Sequence, residues 1–372
     1  MVSSADRVRE IVAVCSLPPP VNGQTIANAF YSNWLQSLGS ATVIDLVPGM
    51  KISRRLIEIV RAALAALSLR PGTIFYTVPH ASRGKLITRL LVEIAFIRGA
   101  HVVLHHHGFN YLAKPCHVYR SLFVRHNHGI YHIFLASEMA EAFRRTYGVE
   151  PSYFIVNNSL LVERSSEQVG QESANRDKER IPVIGLLSNL NREKGLHTFL
   201  DVLCLAKERN VALRGVLAGP IASADDRQLV ARMRNDIHDL EYLGPVYGAA
   251  KEAFFRSIDL FVFPTTYPVE AQPLVVYEAI LRGRYVVSNN MGCIPSMAHQ
   301  PWLRTTHGPR AEDYLSATQS ALMDIDNRAA SANPEDALAE KIEEAQASLN
   351  FLGEFLSMLI SPKSASDRLI PR

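Results

Sequence analysis

The residues best equipped for chemistry crowd into one stretch, Phe263 to Ala279, which reads FPTTYPVEAQPLVVYEA. A strand is predicted to end at Pro264 and a loop to follow. A helix then starts with Pro273 at its first helical position, where the missing proline N–H would have had no partner anyway. The amides of Leu274 and Val275 would open that helix, and its dipole and unpaired donors favour a phosphate. Glu270 lies in the loop before these amides, and Glu278 lies over a turn into the helix. A carboxylate can accept hydrogen bonds from two vicinal hydroxyls. Two carboxylates flanking a phosphate site therefore suit a ligand with a hydroxyl-rich ring on either side of its phosphates, as in a nucleotide sugar.

Other segments could converge on the same ligand. Ser188 to Gly195 (SNLNREKG) follows a predicted strand and opens a helix, with Arg192 and Lys194 as cations suited to a diphosphate. At Gly244-Pro245 a glycine would allow close approach of the backbone to a ring. In the first half, His105-His106-His107-Gly108 ends a strand, and alternation points His105 and His107 to one face and His106 to the other. Consecutive strand residues cannot converge on one ion, so no metal is expected there. Asp324-Ile325-Asp326 lies in a helical stretch rather than after a nucleotide-binding strand, and is likewise set aside. Pro18 to Thr25 contains Gly23 and reads as a turn after the first strand. No Gly-x-Gly-x-x-Gly follows that strand, which argues against a dehydrogenase.

The elements that must position these residues alternate between short β-branched runs and helical patterns, as in parallel sheets with crossover helices. The first series places strands at 11–16, 41–46, 73–78, 101–107, 130–136 and 153–157. The second places them at 183–188, 215–218, 241–243, 260–264 and 285–288. Between strands, Arg54 to Leu67 sets Leu56, Val60, Ala63 and Leu67 on one helical face and Arg54, Glu58 and Arg61 opposite. Lys85, Arg89 and Glu93 edge another apolar helix. Ser137 is expected to cap a helix, and Asn333-Pro334 to start a long one reaching about Ile360. The polar stretch from Glu163 to Arg180 reads as an interdomain linker.

Composition agrees with a two-domain globular enzyme. Hydrophobic residues make up 48% of the 372 and charged ones 20%, too apolar for a disordered chain. The run Ile11 to Cys15 reads as a first strand rather than a signal peptide. Scattered Cys15, Cys116, Cys204 and Cys293 suggest reduced thiols in the cytosol. Residues 1–160 carry 16 Lys+Arg against 8 Asp+Glu, so the first half is basic while the second is acidic. A basic half suggests an anionic neighbour.

The arrangement of Glu270 and Glu278 resembles the Glu-x7-Glu donor signature of family 4 retaining glycosyltransferases of the GT-B fold. That resemblance implies an α/β architecture of two Rossmann-like domains facing a central cleft, with a C-terminal helix crossing back to the first domain. The expected division is 1–165 (acceptor side), 166–180 (linker), 181–345 (nucleotide-sugar side) and 346–372 (C-terminal helix and tail). By position, Glu270 would touch the donor sugar, Glu278 the ribose, and the backbone of Gln272, Pro273 and Leu274 the diphosphate. Lys194 matches the family's phosphate-clamp lysine. Asn189 stands where an arginine is usual, and Arg192 is the alternative second cation. Gly244 and Pro245 match the turn that edges the base, and Gly23 matches the loop near the sugar. His107 matches a histidine beside the reacting sugar. Ser296, after Gly292 to Pro295, replaces a common glutamate.

The family resemblance implies transfer of a hexose, with retention, from a UDP- or GDP-sugar to a glycan or a polyprenyl-diphosphate-linked acceptor. No cofactor or essential metal is expected, and no nucleic-acid partner. The implied location is cytoplasmic, at the periphery of an anionic membrane contacted by the basic first domain through Arg54, Arg55, Arg61, Arg83, Lys85 and Arg89. Two alternatives stay open, a GT-B-fold nucleotide-sugar epimerase and a non-catalytic sugar-nucleotide-binding partner protein.

Overall fold

A computed structural model describes residues 11–46, 52–80, 84–162, 180–306, 308–326, 334 and 336–360. Residues 163–179 of the hydrophilic stretch, Arg83 and Asn333 lie outside the described residues. The chain divides into two compact units, Met1–Leu161 with Glu343–Arg372, and Val162–Ile342.

In the first unit the order is β1 (Ile11–Cys15), α1 (Gly23–Leu38), β2 (Ala41–Asp45), α2 (Ile52–Ser68), β3 (Ile74–Thr77), α3 (Lys85–Ile97), β4 (His101–His105), α4 (Asn110–Ala113), α5 (His117–Arg125), β5 (Ile130–Phe134), α6 (Ser137–Tyr147) and β6 (Ser152–Ile155). The six strands are all parallel, in the order β2-β1-β3-β4-β5-β6.

The second unit runs β7 (Val183–Leu187), α7 (Leu196–Glu208), β8 (Arg214–Ala218), α8 (Ala224–Asp236), β9 (Leu240–Tyr242), α9 (Ala249–Ser257), β10 (Leu260–Phe263), α10 (Leu274–Leu281), β11 (Tyr285–Asn289), β12 (Leu303–Thr306) and α11 (Ala311–Asp326). The last helix, α12, spans Asp336–Ile360. This sheet is also parallel, ordered β12-β11-β10-β7-β8-β9. Counted from β7, that is the doubly wound order 3-2-1-4-5-6 of a dinucleotide-binding fold, read from the other edge.

Parallel sheets require cover on both faces, so their strands are continuous apolar runs. β1, β3, β7, β10 and β11 are buried along their whole length. The strands expected from sequence are all present, mostly trimmed at their ends. β12 was not expected: it is an edge strand in which only Leu303 and Thr306 are buried, so the run Leu-Arg-Thr-Thr carries little apolar signal. Two helix starts also differ from expectation. Pro273 is the extended N-cap of α10 rather than its first helical residue. Ser137 is the first residue of α6, its hydroxyl donates to Glu138, and Ala136 is the cap.

One face of the first sheet is sealed by α1 and the C-terminal half of α12. Leu349, Leu352, Phe355 and Leu356 pack with Tyr31 and Leu35 of α1 and with Ile11, Ala13 and Tyr76 of the sheet. The long helix starts in the second unit, where Leu338 joins the core, and from Glu343 belongs to the first. On the opposite side, α2 packs on α3, α3 on α5 and α5 on α6. There α2 behaves unlike an ordinary surface helix: Ala62 and Ala66 are buried, whereas Leu56, Ile57, Val60, Leu64 and Leu67 are all more than half exposed. The helix sits on its alanines and turns its large side chains outward, the reverse of the usual arrangement.

Candidate functional site

In a doubly wound sheet, ligands bind beyond the C-terminal ends of the strands, where the connections diverge to the two sides. In the second unit that point lies between neighbours β7 and β10. The loop after β7 is folded by Asn191, whose side chain accepts from the Lys194 amide at 2.8 Å while its carbonyl accepts from Leu196 N at 3.1 Å. Gly195 is at φ 89°, and a Cβ there would come within 2.5 Å of the Pro264 carbonyl oxygen. Only glycine therefore lets this loop lie directly on the end of β10. Thr266 N donates to Glu193 O at 2.7 Å and ties the two loops together.

The consequence is a charge pair at the switch point. Lys194 Nζ lies 2.6 Å from Glu270 Oε2, and the ammonium stands 4.3 Å from the centre of the Tyr267 ring. Thr265 Oγ1 donates to the same carboxylate oxygen at 3.1 Å. Burial, followed by the charges of Glu193 and Glu270, pushes the Tyr267 phenol up, so it stays protonated. Behind Glu270, Gly292 at φ 58° brings the turn so close that a Cβ would sit 2.3 Å from the Glu270 carbonyl oxygen. Cys293 N donates to Ala271 O at 2.9 Å. Gln272, Pro273 and Leu274 are buried and lead into α10, whose first-turn amides have no carbonyl four residues back to bond.

Glu278, one turn into α10, is held by a second lysine. Lys251 Nζ on α9 donates to its Oε1 at 2.8 Å. Next to this pair, Arg282 bonds the Glu278 carbonyl at 3.0 Å and forms an ion pair with Glu252. The hydrogen bond from Arg282 holds the Glu252 carboxyl below its usual range. Gly244 follows β9 at φ 75° with open space where a side chain would be, and its carbonyl accepts from Gly219 N at 2.7 Å. Pro245, Asn189 and Arg192 are exposed. The structure thus brings Lys194, Glu270 and the start of α10 together and leaves Asn189 and Arg192 at the surface of the same loop. Sequence reading missed Lys251 as the partner of Glu278, and Thr265 and Tyr267 as supports of the first pair. Lys251 and Glu278 lie on different helices, and Tyr267 meets a lysine from another loop, so no local signal links them; Thr265 lies only five residues from Glu270, and the chance to read it was in the loop itself.

In the first unit, alternation along β4 is as expected. His105 and His107 lie on one side with ring centres 4.0 Å apart, and Tyr31 sits edge-on to His105 at 4.3 Å. His106 turns to the other side, where Nε2 is 2.8 Å from His132 Nδ1 and Nδ1 is 3.1 Å from the Tyr111 hydroxyl. The strand ends at His105, two residues before the expected His107. Burial pushes the His107 imidazole down to about 3, and its Nε2 is enclosed without a protein partner. It is therefore a neutral ring with one hydrogen-bonding atom unused. Gly23 is the exposed first residue of α1, after the reciprocal cap between Asn22 and Thr25. Among the described residues, no three His, Cys, Asp or Glu side chains cluster to hold a metal. Asp324 instead pairs with Arg304 at 2.6 Å on α11.

Two Rossmann-like units, each with a six-stranded parallel sheet, define the GT-B glycosyltransferase fold. Residues 181–324, which carry Lys194, Glu270 and Glu278, match the family model described as "Glycosyl transferases group 1". No curated protein matches the chain in sequence. Among solved structures, it is similar to Anabaena Alr3699/HepE in complex with UDP and glucose, at TM-score 0.63 and 16% identity over 94% of this chain and 100% of that one. A glycosyltransferase from Rickettsia africae ESF-5 aligns at TM-score 0.68 and 13% identity over 95% and 99% of the respective chains. The catalytic domain of starch synthase IV from Arabidopsis thaliana, bound to ADP and acarbose, aligns at TM-score 0.63 and 11% identity over 95% and 99%. Fold and family match together support a glycosyltransferase.

Proposed function

We propose that this protein transfers a hexose from a UDP- or GDP-sugar, with retention of configuration, to a glycan or a polyprenyl-diphosphate-linked acceptor in polysaccharide or glycoconjugate assembly. The observation that carries the reading is the Lys194–Glu270 pair at the switch point, placed before the first-turn amides of α10. A diphosphate entering there would draw the Lys194 ammonium to its own charge, aided by the α10 amides and by Arg192 on the exposed loop. Glu270, released from the lysine but still held by Thr265, would accept hydrogen bonds from the sugar hydroxyls. Glu278 would take the ribose hydroxyls, and the turn at Gly244 and Pro245 would lie along the base. His107, with its unused Nε2, would bond the sugar beside the reacting carbon.

In this reading the bond from the anomeric carbon to the diphosphate oxygen breaks while the acceptor oxygen bonds to the same face. The departing phosphate oxygen takes the acceptor proton. Neutralisation of the leaving diphosphate is assigned to Lys194, Arg192 and amides, without an essential metal. The proposed location is cytoplasmic, peripheral on the membrane face where a lipid-linked acceptor is presented. The test is a thermal-shift titration with UDP- and GDP-sugars on wild type and Glu278→Ala. Free ligand at one hundred times Kd should stabilise the fold by about 2.7 kcal/mol, a visible shift. A shift for one nucleotide, lost in the variant, supports the reading. No shift with any nucleotide sugar overturns it.

A further inference from the structure

Three neighbouring helices of the first unit turn large apolar side chains to solvent together. Along α2 these are Leu56, Ile57, Val60, Leu64 and Leu67, and along α3 Leu86, Leu90 and Ile97; Val124 of α5 continues the row. Each is at least half exposed, and Ile97 is 83% exposed. Single exposed leucines are ordinary, but nine on three helices packed side by side form a continuous apolar face, which marks an interaction surface. The spacing is regular as well: Leu56, Val60, Leu64 and Leu67 form one helical stripe, and Leu86, Leu90 and Ile97 another. Both stripes point away from the sheet, because Ala62, Ala66, Leu91, Val92 and Ala95 occupy the inner faces.

The border of this face is basic. α2, α3 and α5 together carry Arg54, Arg55, Arg61, Lys85, Arg89, Arg120 and Arg125 against two acids, Glu58 and Glu93. Both acids are already engaged, Glu58 with Arg61 at 2.9 Å and Glu93 with His126 at 2.9 Å and Arg125 at 3.5 Å. The uncompensated charge of the face is therefore positive. A second copy docked symmetrically would set like charges against like around its rim. An apolar surface with a cationic border instead matches the boundary between acyl chains and anionic headgroups, where helices lie in the membrane plane. Among the described residues no helix is long and apolar enough to cross a membrane.

We infer that the α2–α3–α5 face docks onto an anionic phospholipid leaflet, with Leu64, Leu90 and their neighbours entering the acyl boundary and Arg54, Lys85 and Arg120 meeting the headgroups. This gives the peripheral location proposed above a defined surface, and it is independent of the donor reading, because every residue involved belongs to the first unit. The experiment is co-sedimentation of the full chain with vesicles of equal parts phosphatidylcholine and phosphatidylglycerol, and with phosphatidylcholine alone. Wild type is expected to bind the anionic vesicles and not the neutral ones. Each basic residue at the surface contributes about fivefold, so Arg54→Gln/Arg120→Gln should weaken binding about 25-fold. Leu64→Glu/Leu90→Glu should abolish it, and a Leu64→Trp reporter should shift its emission to the blue on anionic vesicles. These positions are exposed, so all variants should keep the wild-type melting temperature and any shift produced by a nucleotide sugar. Failure of wild type to bind anionic vesicles, or undiminished binding by Leu64→Glu/Leu90→Glu, overturns the inference and leaves the donor site untouched. A wild-type dimer that Leu64→Glu/Leu90→Glu dissociates, with no vesicle binding, would assign the face to a second copy instead.

Discussion

Lowering the pH from 7 to 5 should weaken the first unit far more than its carboxylates can explain. His105, His106 and His132 are at most 1% exposed, and burial drives all three below the ordinary histidine range, His132 to about 3. They are neutral in the fold but take up protons in the unfolded chain once the pH falls below about 6.5. A depressed native pKa means that stability present above pH 6.5 is lost as the pH falls toward the native value. At pH 5 each histidine therefore costs about 2 kcal/mol; with His107, which burial pushes down to about 3 in the same way, the four cost about 8 kcal/mol, comparable with the whole stability of many domains. Most carboxylates, with ordinary pKa values near 4, are still ionised in both states at that pH. Trp34 lies in the first unit and Trp302 in the second, so urea unfolding of Trp302→Phe, followed by tryptophan emission, reads the first unit alone. Near pH 5 the slope should approach about 5 kcal/mol per pH unit. His132→Phe should lower that slope by about a quarter, whatever it does to the absolute stability. Equal unfolding free energies at pH 7 and pH 5 would refute the reasoning, because these rings would then have to accept protons in place.

Three other outcomes follow from the two sites. Lys194→Met should reduce kcat about 10²- to 10³-fold, as expected for loss of a charge that stabilises a leaving group. It should also cost about 1–3 kcal/mol in denaturant unfolding, since the buried Glu270 carboxylate then keeps Thr265 but loses its cation. Gly219→Ala should destabilise the second unit by about 3 kcal/mol or more: its φ is 119° and the new Cβ would lie 1.8 Å from the Ser188 carbonyl oxygen. Unfolding monitored through Trp302 should show that loss, and nucleotide affinity should fall with it. His107→Ala should lower kcat about tenfold or more through loss of the proposed hydrogen bond to the sugar, and should lower the melting temperature as well, because the ring packs 4.0 Å from His105 and its removal leaves a cavity.

Much of the architecture was legible in the chain itself. Strands buried on both faces must be short apolar runs, so β1, β7, β10 and β11 announce themselves, and their alternation with helical patterns already implies two parallel sheets. The stretch from Phe263 to Glu278 is local enough for a loop, a helix start and two carboxylates to be read from spacing alone. Alternation along β4 likewise sorts His105 and His107 from His106. These features depend on neighbours in sequence, whose geometry the backbone period dictates.

Tertiary structure decided what depends on distant partners. Lys194 and Glu270 are 76 residues apart and Lys251 and Glu278 are 27 apart, so only the sheet order brings either pair together. The edge strand β12 exists because β11 offers it a ladder, its own residues carrying little signal. The periodicity of α2 identifies an apolar face but not which face is covered. The close packing of Ala62 and Ala66 against the unit turned that face outward, because covering a sheet needs only side chains that fit, whereas the larger ones remain free for another surface.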